Sequence, residues 1–196
     1  MKNAFNVLGV AGSTRQGSYS TRALKIALDH AKSHGAEVRL LELHRTVLPL
    51  YDPSAPVSKE VEHAAEAIAW ADAFILASPD YHGSVSGALK NFLDHFYEEF
   101  AGKVFGYIVA SHEKGLTVMD QMRTAVRQCY GWSMPYGVSI NGPQDFTGNE
   151  IGNARLSSRL RMMTRDLVVY GRLVRDQFMR DFGSNEPDTF AAHYRP

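Results

Sequence analysis

Short apolar runs alternate with longer amphipathic segments along most of the chain. The apolar runs predict five strands, at residues 5–11, 38–43, 74–77, 104–110 and, less regularly, 135–140. Apolar positions at helical spacing predict helices at about residues 18–34, 58–72, 86–100, 116–129 and 154–175. Strands and helices that alternate in this way form a parallel sheet covered on both faces, so we predict an α/β domain. We assign residues 1–180 to this domain. The polar, irregular residues 181–196 form a tail available to a partner subunit.

The loop after the first predicted strand has the composition of a phosphate site. Residues 12–20 have the sequence GSTRQGSYS, and a helix follows at once. A helix N-terminus offers unpaired N–H groups and a partial positive charge. Ser13, Ser18 and Ser20 add hydroxyl groups, and Arg15 adds a charged donor. The alternative is an ordinary helix cap beside an exposed arginine.

Two other phosphate-binding motifs do not fit this loop. A P-loop requires a lysine after its last glycine, whereas Ser18 follows Gly17. A dinucleotide-binding fingerprint requires the pattern G-x-G-x-x-G, whereas Gly9 and Gly12 are three residues apart and no third glycine fits. The serine-rich loop therefore favours a single terminal phosphate over a pyrophosphate.

The segment after the third predicted strand carries the most specific motif in the chain. Residues 78–84 have the sequence SPDYHGS, and GALKN follows at residues 87–91, with Asp94 beyond it. Together with GSTRQGS at residues 12–18, this segment resembles the GSxRxxS and SPEYNGSxxGxLKNxxD motifs of the NADPH-dependent FMN reductase family. Asp80 and His82 replace the usual Glu and Asn, which leaves the role of the histidine open. The resemblance extends over roughly residues 5–140.

The resemblance implies a flavodoxin-like three-layer sandwich with a five-stranded parallel sheet in the order 2-1-3-4-5. It also implies bound FMN, NADPH or NADH as co-substrate, and a homodimer or homotetramer. The matching motif positions imply that the FMN phosphate is bound by Ser13, Arg15, Ser18 and Ser20. They imply that the flavin ring lies against Pro79, Asp80, Tyr81, His82 and Gly83, largely through backbone N–H groups. A simpler alternative is that Pro79 only ends the strand and Tyr81 only packs at the surface.

A third loop, SHEKG at residues 111–115, follows the fourth predicted strand. The family often has a Gly-rich segment beside the flavin here, and only Ser111 and Gly115 fit it, so these two complete the expected cofactor site. We assign no catalytic side chain, because flavin N5 accepts the hydride. The last predicted helix carries Arg155, Arg159, Arg161, Arg165, Arg172 and Arg175. These arginines most simply form a solvated or intersubunit face, and the alternative is a role in binding the 2′-phosphate of NADPH.

The composition of the chain argues against several classes of partner: nucleic acids, metal ions and membranes. The 196 residues carry 21 basic and 21 acidic side chains, and this balance argues against a nucleic-acid partner. Cys129 is the single cysteine, which excludes an intramolecular disulfide, and the eight histidines form no HExxH pair, so we expect no metal site. No apolar stretch approaches the length of a membrane span, and the N-terminus lacks the pattern of a signal peptide. We therefore expect no membrane partner and a cytoplasmic location.

We expect an FMN-dependent NAD(P)H oxidoreductase that passes electrons by ping-pong transfer to a small acceptor: a flavin, a quinone, an azo compound or a metal oxyanion. Two alternatives are a non-enzymatic flavodoxin-type electron carrier and a flavin-based sensor. The neutral charge and the lack of a Thr-rich phosphate loop count against the carrier. A response-regulator receiver needs an acidic pair after the first strand, where this chain has Gly12, Ser13 and Thr14. Ser13 also lacks the G-x-S-x-G context of a hydrolase nucleophile.

Overall fold

The computed structural model describes residues 4–195, so residues 1–3 of the predicted domain and residue 196 of the predicted tail lie outside it. One parallel sheet forms the centre of the described chain. Its strands are β1 (Phe5–Ala11), β2 (Ala36–Glu42), β3 (Ala73–Pro79), β4 (Val104–Ala110), β5 (Trp132–Ser133) and β6 (Val138–Ile140). Their order is β2-β1-β3-β4-β5. β6 occupies the same position as β5 and pairs with a later part of β4. This order confirms the predicted flavodoxin-like fold.

Six α-helices and a small hairpin complete the described part of the chain. The helices are α1 (Tyr19–Ser33), α2 (Lys59–Trp70), α3 (Gly87–Asp94), α4 (Leu116–Gln128), α5 (Gly142–Asp145) and α6 (Ala154–Phe182). Short 3-10 helices lie at Glu98–Phe100 and Phe190–Tyr194, and the hairpin consists of β7 (Phe146–Thr147) and β8 (Glu150–Ile151). None of the helices within residues 4–195 has the length and apolar character needed to cross a membrane.

The fifth position of the sheet is divided between two short strands. We predicted one strand at residues 135–140, but β4 pairs first with Trp132 and Ser133 and again with residues 138–140. Pro135 has no N–H group to donate to a ladder. A side chain at Gly137 would lie 2.9 Å from the carbonyl oxygen of Tyr107, so the chain passes β4 too closely for regular pairing there. The predicted strand is therefore correct in place but wrong in extent.

Three other predicted boundaries change. The helix predicted to reach residue 100 ends at Asp94, and the chain resumes as a 3-10 turn that keeps Phe96 and Phe100 buried. The last helix continues to Phe182. Residues 141–152, predicted as a polar loop, contain α5 and the β7–β8 hairpin. Periodicity does not register elements this short, because two to four residues do not complete a pattern.

Each face of the sheet has its own apolar core. On one face α2, α3 and α4 cover a cluster centred on Phe74, Phe92 and Phe105, with Phe74 and Phe105 stacked at 4.6 Å. On the other face α1 and α6 cover Phe5, Ile75 and other buried residues of the strands. The strands alternate their side chains between these two clusters, which explains why β1, β3 and β4 are apolar almost throughout.

The segment after α6 folds back onto its own chain. The ring of Phe190 lies 5.5 Å from that of Tyr130 and 6.2 Å from that of Phe178. The guanidinium of Arg195 donates to the backbone carbonyls of Asp181, at 2.5 Å, and Glu186, at 2.8 Å. These contacts attach the segment to the C-terminal half of α6 and to Tyr130, which follows α4.

Candidate functional site

A cleft of about 1170 Å³ opens at the carboxyl ends of β1, β3 and β4. It lies at the switch point between β1 and β3, where the connections leave the sheet in opposite directions and open a crevice. The structure brings together in it all eleven predicted site residues: Ser13, Arg15, Ser18, Ser20, Pro79, Asp80, Tyr81, His82, Gly83, Ser111 and Gly115. Three loops that are far apart in sequence therefore form one site.

The β1–α1 loop forms one end of the cleft. Ser18 caps α1: its Oγ accepts from the Thr21 N–H at 3.3 Å and lies 3.1 Å from Ser20 Oγ. Ser13 is fully buried, and its Oγ accepts from the Arg15 N–H at 3.1 Å. The N–H groups of Tyr19 and Ser20, the first two of α1, make no hydrogen bond with the described residues and stay available to an anion.

Arg15 and Gly12 give this loop its charge and its position. The Arg15 side chain is exposed and makes no hydrogen bond or ion pair with the other described residues. At Gly12, an added Cβ would lie 2.8 Å from Leu89 Cβ and 3.0 Å from the Ala77 carbonyl oxygen, so only glycine lets the loop approach β3 and α3. Ser86, the N-cap of α3, donates to the Gly12 carbonyl at 2.5 Å and holds the two loops together.

The loop after β3 forms a tight turn at the other end of the cleft. The N–H of Tyr81 donates to the Ser84 carbonyl at 3.1 Å, and the N–H of Ser84 donates to the Tyr81 carbonyl at 3.1 Å. His82 and Gly83 between them have φ values of 57° and 74°. Two consecutive left-handed residues form a type I′ turn, and this turn holds the imidazole of His82 at the wall of the cleft.

Asp80 connects this turn with the loop after β4. Its Oδ1 accepts from the Gly83 N–H at 2.8 Å, and its Oδ2 accepts from Ser111 Oγ at 2.8 Å. The Asp80 N–H in turn donates to the Ala110 carbonyl at 2.8 Å. Asp80 and Ser111 thus lie in the cleft as predicted, but both side-chain groups are used to brace the loops.

Gln121 on α4 supports the same turn. It was not among the residues predicted from the sequence. Its Oε1 accepts from Ser84 Oγ at 2.9 Å and from the Val85 N–H at 3.0 Å. Its Nε2 lies 3.4 Å from the Gly83 carbonyl oxygen. An exposed glutamine on a helix has no sequence signal of its own, so only the packing of α4 beside the turn identifies it.

Further lining residues also lay outside the prediction: Tyr19, Ala110, His112, Glu113, Lys114, Leu116, Thr117, Gly142 and Pro143. Most of them are neighbours in sequence of predicted residues. Gly142 and Pro143 are different, because α5 reaches the cleft through tertiary contacts: Gly142 packs against the Tyr19 ring, and Asn141 donates to the His112 carbonyl at 3.1 Å. No motif in the sequence indicates those contacts.

The cleft has the donors and the shape that FMN requires. Buried serine hydroxyls, the N-terminus of α1 and the unpartnered Arg15 suit a phosphate monoester at one end. Residues 79–83 and 111–115 line the same cleft, whose volume of about 1170 Å³ leaves room for a flat ring system. Within residues 4–195 no group of three His, Cys, Asp or Glu side chains is arranged to hold a metal ion.

Comparison with known proteins also indicates a flavin-binding protein. The family model described as NADPH-dependent FMN reductase matches residues 5–144. An FMN-dependent NADPH-azoreductase of Staphylococcus aureus is 28% identical over 190 residues, which cover 91% of this chain and 95% of that protein. RosB, solved with bound 8-demethyl-8-formylriboflavin-5'-phosphate, aligns with a TM-score of 0.76 and 14% identity over 93% of this chain and 89% of its own. FerB, a flavoenzyme NAD(P)H:(acceptor) oxidoreductase from Paracoccus denitrificans, aligns with a TM-score of 0.72 and 18% identity, over 87% and 98% of the two chains.

Proposed function

This chain belongs to the NADPH-dependent FMN reductase family, and from that premise we propose which residues hold FMN and which acceptors it reduces. The chain is an FMN-dependent NAD(P)H oxidoreductase, and its relatives favour an enzyme over an electron carrier or a sensor. One observation supports our assignment of the site: residues from three separate loops, chosen from motifs alone, line a single cleft.

The β1–α1 loop holds the phosphate of FMN. Arg15 supplies the charge, Ser13, Ser18 and Ser20 supply hydroxyl groups, and α1 directs its first N–H groups at the same anion. When bound, FMN accepts a hydride from the nicotinamide and passes the electrons on.

The other two loops would hold the flavin ring. The loop after β3 would contact it through Pro79, Asp80, Tyr81, His82 and Gly83, and the loop after β4 through Ser111 and Gly115. The carboxylate of Asp80 acts through Gly83 and Ser111, so its task is to position the turn. Nicotinamide and acceptor enter the open side of the cleft in turn, as ping-pong transfer requires.

We assign the acceptor to flat aromatic or quinonoid compounds that the reduced enzyme meets in this cleft, among them azo compounds and quinones. The Staphylococcus aureus relative acts on azo compounds. In this chain Tyr81 lines the cleft and is 47% exposed, which offers a stacking surface to a planar molecule.

The predicted homodimer or homotetramer also belongs to this proposal. Its support is the exposure of apolar side chains on the loop between β2 and α2, where Leu50 is 85% and Val57 is 68% exposed. Light scattering on the purified protein measures the oligomer directly. The cytoplasmic location and the division of the chain at residue 180 stay predictions.

The phosphate site is tested by comparing FMN with riboflavin, which lacks the phosphate. We expect Arg15→Ala to weaken FMN binding by about 10- to 100-fold, because a charge-assisted hydrogen bond is lost, and to leave riboflavin binding unchanged. Quenching of flavin fluorescence measures both affinities. Arg127→Ala, an exposed arginine outside the cleft, is the matched control. Equal losses for both flavins would contradict the assignment.

The reaction is tested by following NADPH oxidation by the FMN-loaded protein with an azo dye or a quinone. We expect steady turnover. When both substrates are varied, double-reciprocal plots of the initial rates should give parallel lines, as ping-pong transfer requires. A purified protein that binds no FMN, or that oxidises no nicotinamide with any of these acceptors, would disprove the proposed function.

A further inference from the structure

A second cavity of about 600 Å³ adjoins the cofactor cleft. The two share Glu113, Lys114 and Leu116, so the loop between β4 and α4 is the wall between them. The second cavity continues toward the start of α6 and the segment at residues 135–141. A molecule too long for the cofactor cleft therefore has a neighbouring space for its far end.

This second cavity is rich in positive charge. Lys114, Arg123, Arg155 and Arg159 line it, against two acidic residues, Glu113 and Asp145. The Asp145 carboxylate is already engaged: one oxygen accepts from the Asn141 N–H at 2.7 Å and the other from Asn153 Nδ2 at 2.9 Å. With four basic and two acidic side chains, the cavity has a net positive charge, which favours an anionic ligand.

Several of these cations have donors to spare. Among the described residues, Lys114 and Arg155 make no side-chain hydrogen bond or ion pair. Arg159 uses its Nε on the Gly137 carbonyl at 2.9 Å, which leaves its terminal nitrogens. Arg123 is paired with Asp120 at 3.0 Å and is the least available of the four.

A buried hydroxyl group in the same cavity also lacks a partner. Ser139 lies on β6, opposite Val109 of β4, and its Oγ is buried without a hydrogen bond to any described residue. Leaving a buried polar atom unpaired costs about 1–3 kcal/mol, so such an atom calls for an explanation. A ligand that accepts or donates a hydrogen bond in this cavity would supply one.

The other arginines of α6 are used elsewhere. Arg165 pairs with Asp166 at 2.7 Å, Arg175 with Asp176 at 2.8 Å, and Arg172 donates to the Gly35 carbonyl at 2.7 Å. Arg161 donates to Ser157 Oγ at 2.8 Å on the exposed side of the helix. Arg180 donates to Gln177 Oε1 at 2.6 Å. Of the seven arginines of α6, only Arg155 and Arg159 line the cavity beside the cofactor cleft.

We propose that this second cavity binds the 2′-phosphate of NADPH through Arg155, Arg159 and Lys114, and so selects NADPH over NADH. The inference rests on the proposed function, because it places the nicotinamide in the adjoining cleft. A dinucleotide extends away from its nicotinamide ring, and its adenosine end must leave that cleft. NADH and NADPH differ only in the 2′-phosphate, which guanidinium groups recognise well.

The first test measures binding without turnover. Calorimetry on the FMN-loaded protein compares adenosine 2′,5′-bisphosphate with 5′-AMP, which differs from it only by lacking the 2′-phosphate. We expect the bisphosphate to bind at least about 10-fold more tightly, and Arg155→Gln to remove most of that difference. Arg161→Gln, on the same helix but outside the cavity, should leave it unchanged. Equal binding of the two nucleotides by the unmodified protein would overturn the inference.

The second test uses the two nicotinamides as substrates. Arg155→Gln and Arg159→Lys should raise KM for NADPH, by about 10-fold or more for Arg155→Gln, with KM for NADH and kcat within about twofold of the unmodified enzyme. Arg159→Lys keeps a charge but loses the planar fork, so a smaller rise is expected. A parallel rise for both nicotinamides, or a rise in KM only for a sulfonated acceptor, would overturn the inference. If the unmodified protein oxidised neither nicotinamide, the proposed function itself would be disproved.

Discussion

At the scale of single residues, His82 is the non-glycine residue with a positive φ among those that line the cofactor cleft. Its φ of 57° is left-handed, and it begins a turn whose two central residues both require positive φ. Asparagine followed by glycine is the preferred pair for such a turn, because asparagine tolerates this region better than most residues. Asparagine is also the residue that the family motif has here. The histidine therefore introduces an imidazole at the cleft wall at some cost in conformational energy.

Substitutions at residue 82 should reveal this strain. We expect His82→Val to lower the free energy of unfolding by about 2 kcal/mol, because a β-branched side chain is poorly tolerated at positive φ. His82→Asn should be at least as stable as the unmodified protein. Urea denaturation of the FMN-free protein measures both. Tyr81→Val, at a neighbouring position with negative φ, is the control. A stable His82→Val variant would contradict a left-handed residue 82.

At the scale of elements, the turn at residues 81–84 depends on helices that do not belong to its motif. Gln121 on α4 satisfies the Val85 N–H and the Ser84 hydroxyl, and Ser86 at the start of α3 reaches across to the Gly12 carbonyl. The turn at residues 81–84 is thus supported by both α3 and α4. Its geometry is a property of the packed helices as much as of its own sequence.

Removal of the Gln121 brace should loosen the turn without unfolding the domain. Gln121→Ala leaves the Val85 N–H without its acceptor, so we expect faster hydrogen exchange at that amide and about 10-fold weaker FMN binding. Gln128→Ala, on an exposed part of the same helix, provides the matched control. Unchanged exchange at Val85 in Gln121→Ala would show that the turn holds its shape alone.

Elements with a long, regular pattern could be predicted from sequence, and short or interrupted ones could not. β1, β3 and β4 are apolar on both faces, and their positions follow from that pattern alone. The end of α3 does not, because Phe92, Phe96 and Phe100 have helical spacing although the helix stops at Asp94. Packing of Phe100 edge-on against Phe74, at 5.4 Å, takes precedence over the local pattern.

At the scale of the whole molecule, the parallel sheet is what made the cofactor cleft predictable. Parallel strands place their carboxyl ends at one edge, so motifs after β1, β3 and β4 had to converge there. The second cavity was not predictable, because it joins Lys114, Ser139 and two arginines of α6 through contacts that no motif encodes. At the opposite edge of the sheet no sequence motif indicates a function, yet a partly buried lysine lies there.

That lysine is Lys103, at the start of β4. Burial lowers the pKa of its ammonium to about 8 from the ordinary 10.5, against the opposing attraction of Asp72 and Glu99. Its Nζ donates to the Ile68 carbonyl at 2.7 Å. Below pH 8 both the folded and the unfolded chain carry the proton, so the folded state bears the full penalty of a buried charge. Between pH 8 and 10.5 the unfolded chain binds more protons than the folded one, so this group makes the unfolding free energy rise with pH.

The contribution of Lys103 appears in a comparison with Lys103→Met, which keeps the apolar stem and removes the charge. The unfolding free energy of the unmodified protein, minus that of the variant, should increase from pH 8 to pH 10.5 and be flat below pH 8. Taking the difference cancels the titration of tyrosines and Cys129 in the same range. Urea denaturation across this range measures it, with Lys59→Met, an exposed lysine, as a control whose difference stays flat. A flat difference for Lys103→Met as well would mean that Lys103 is hydrated in the folded protein.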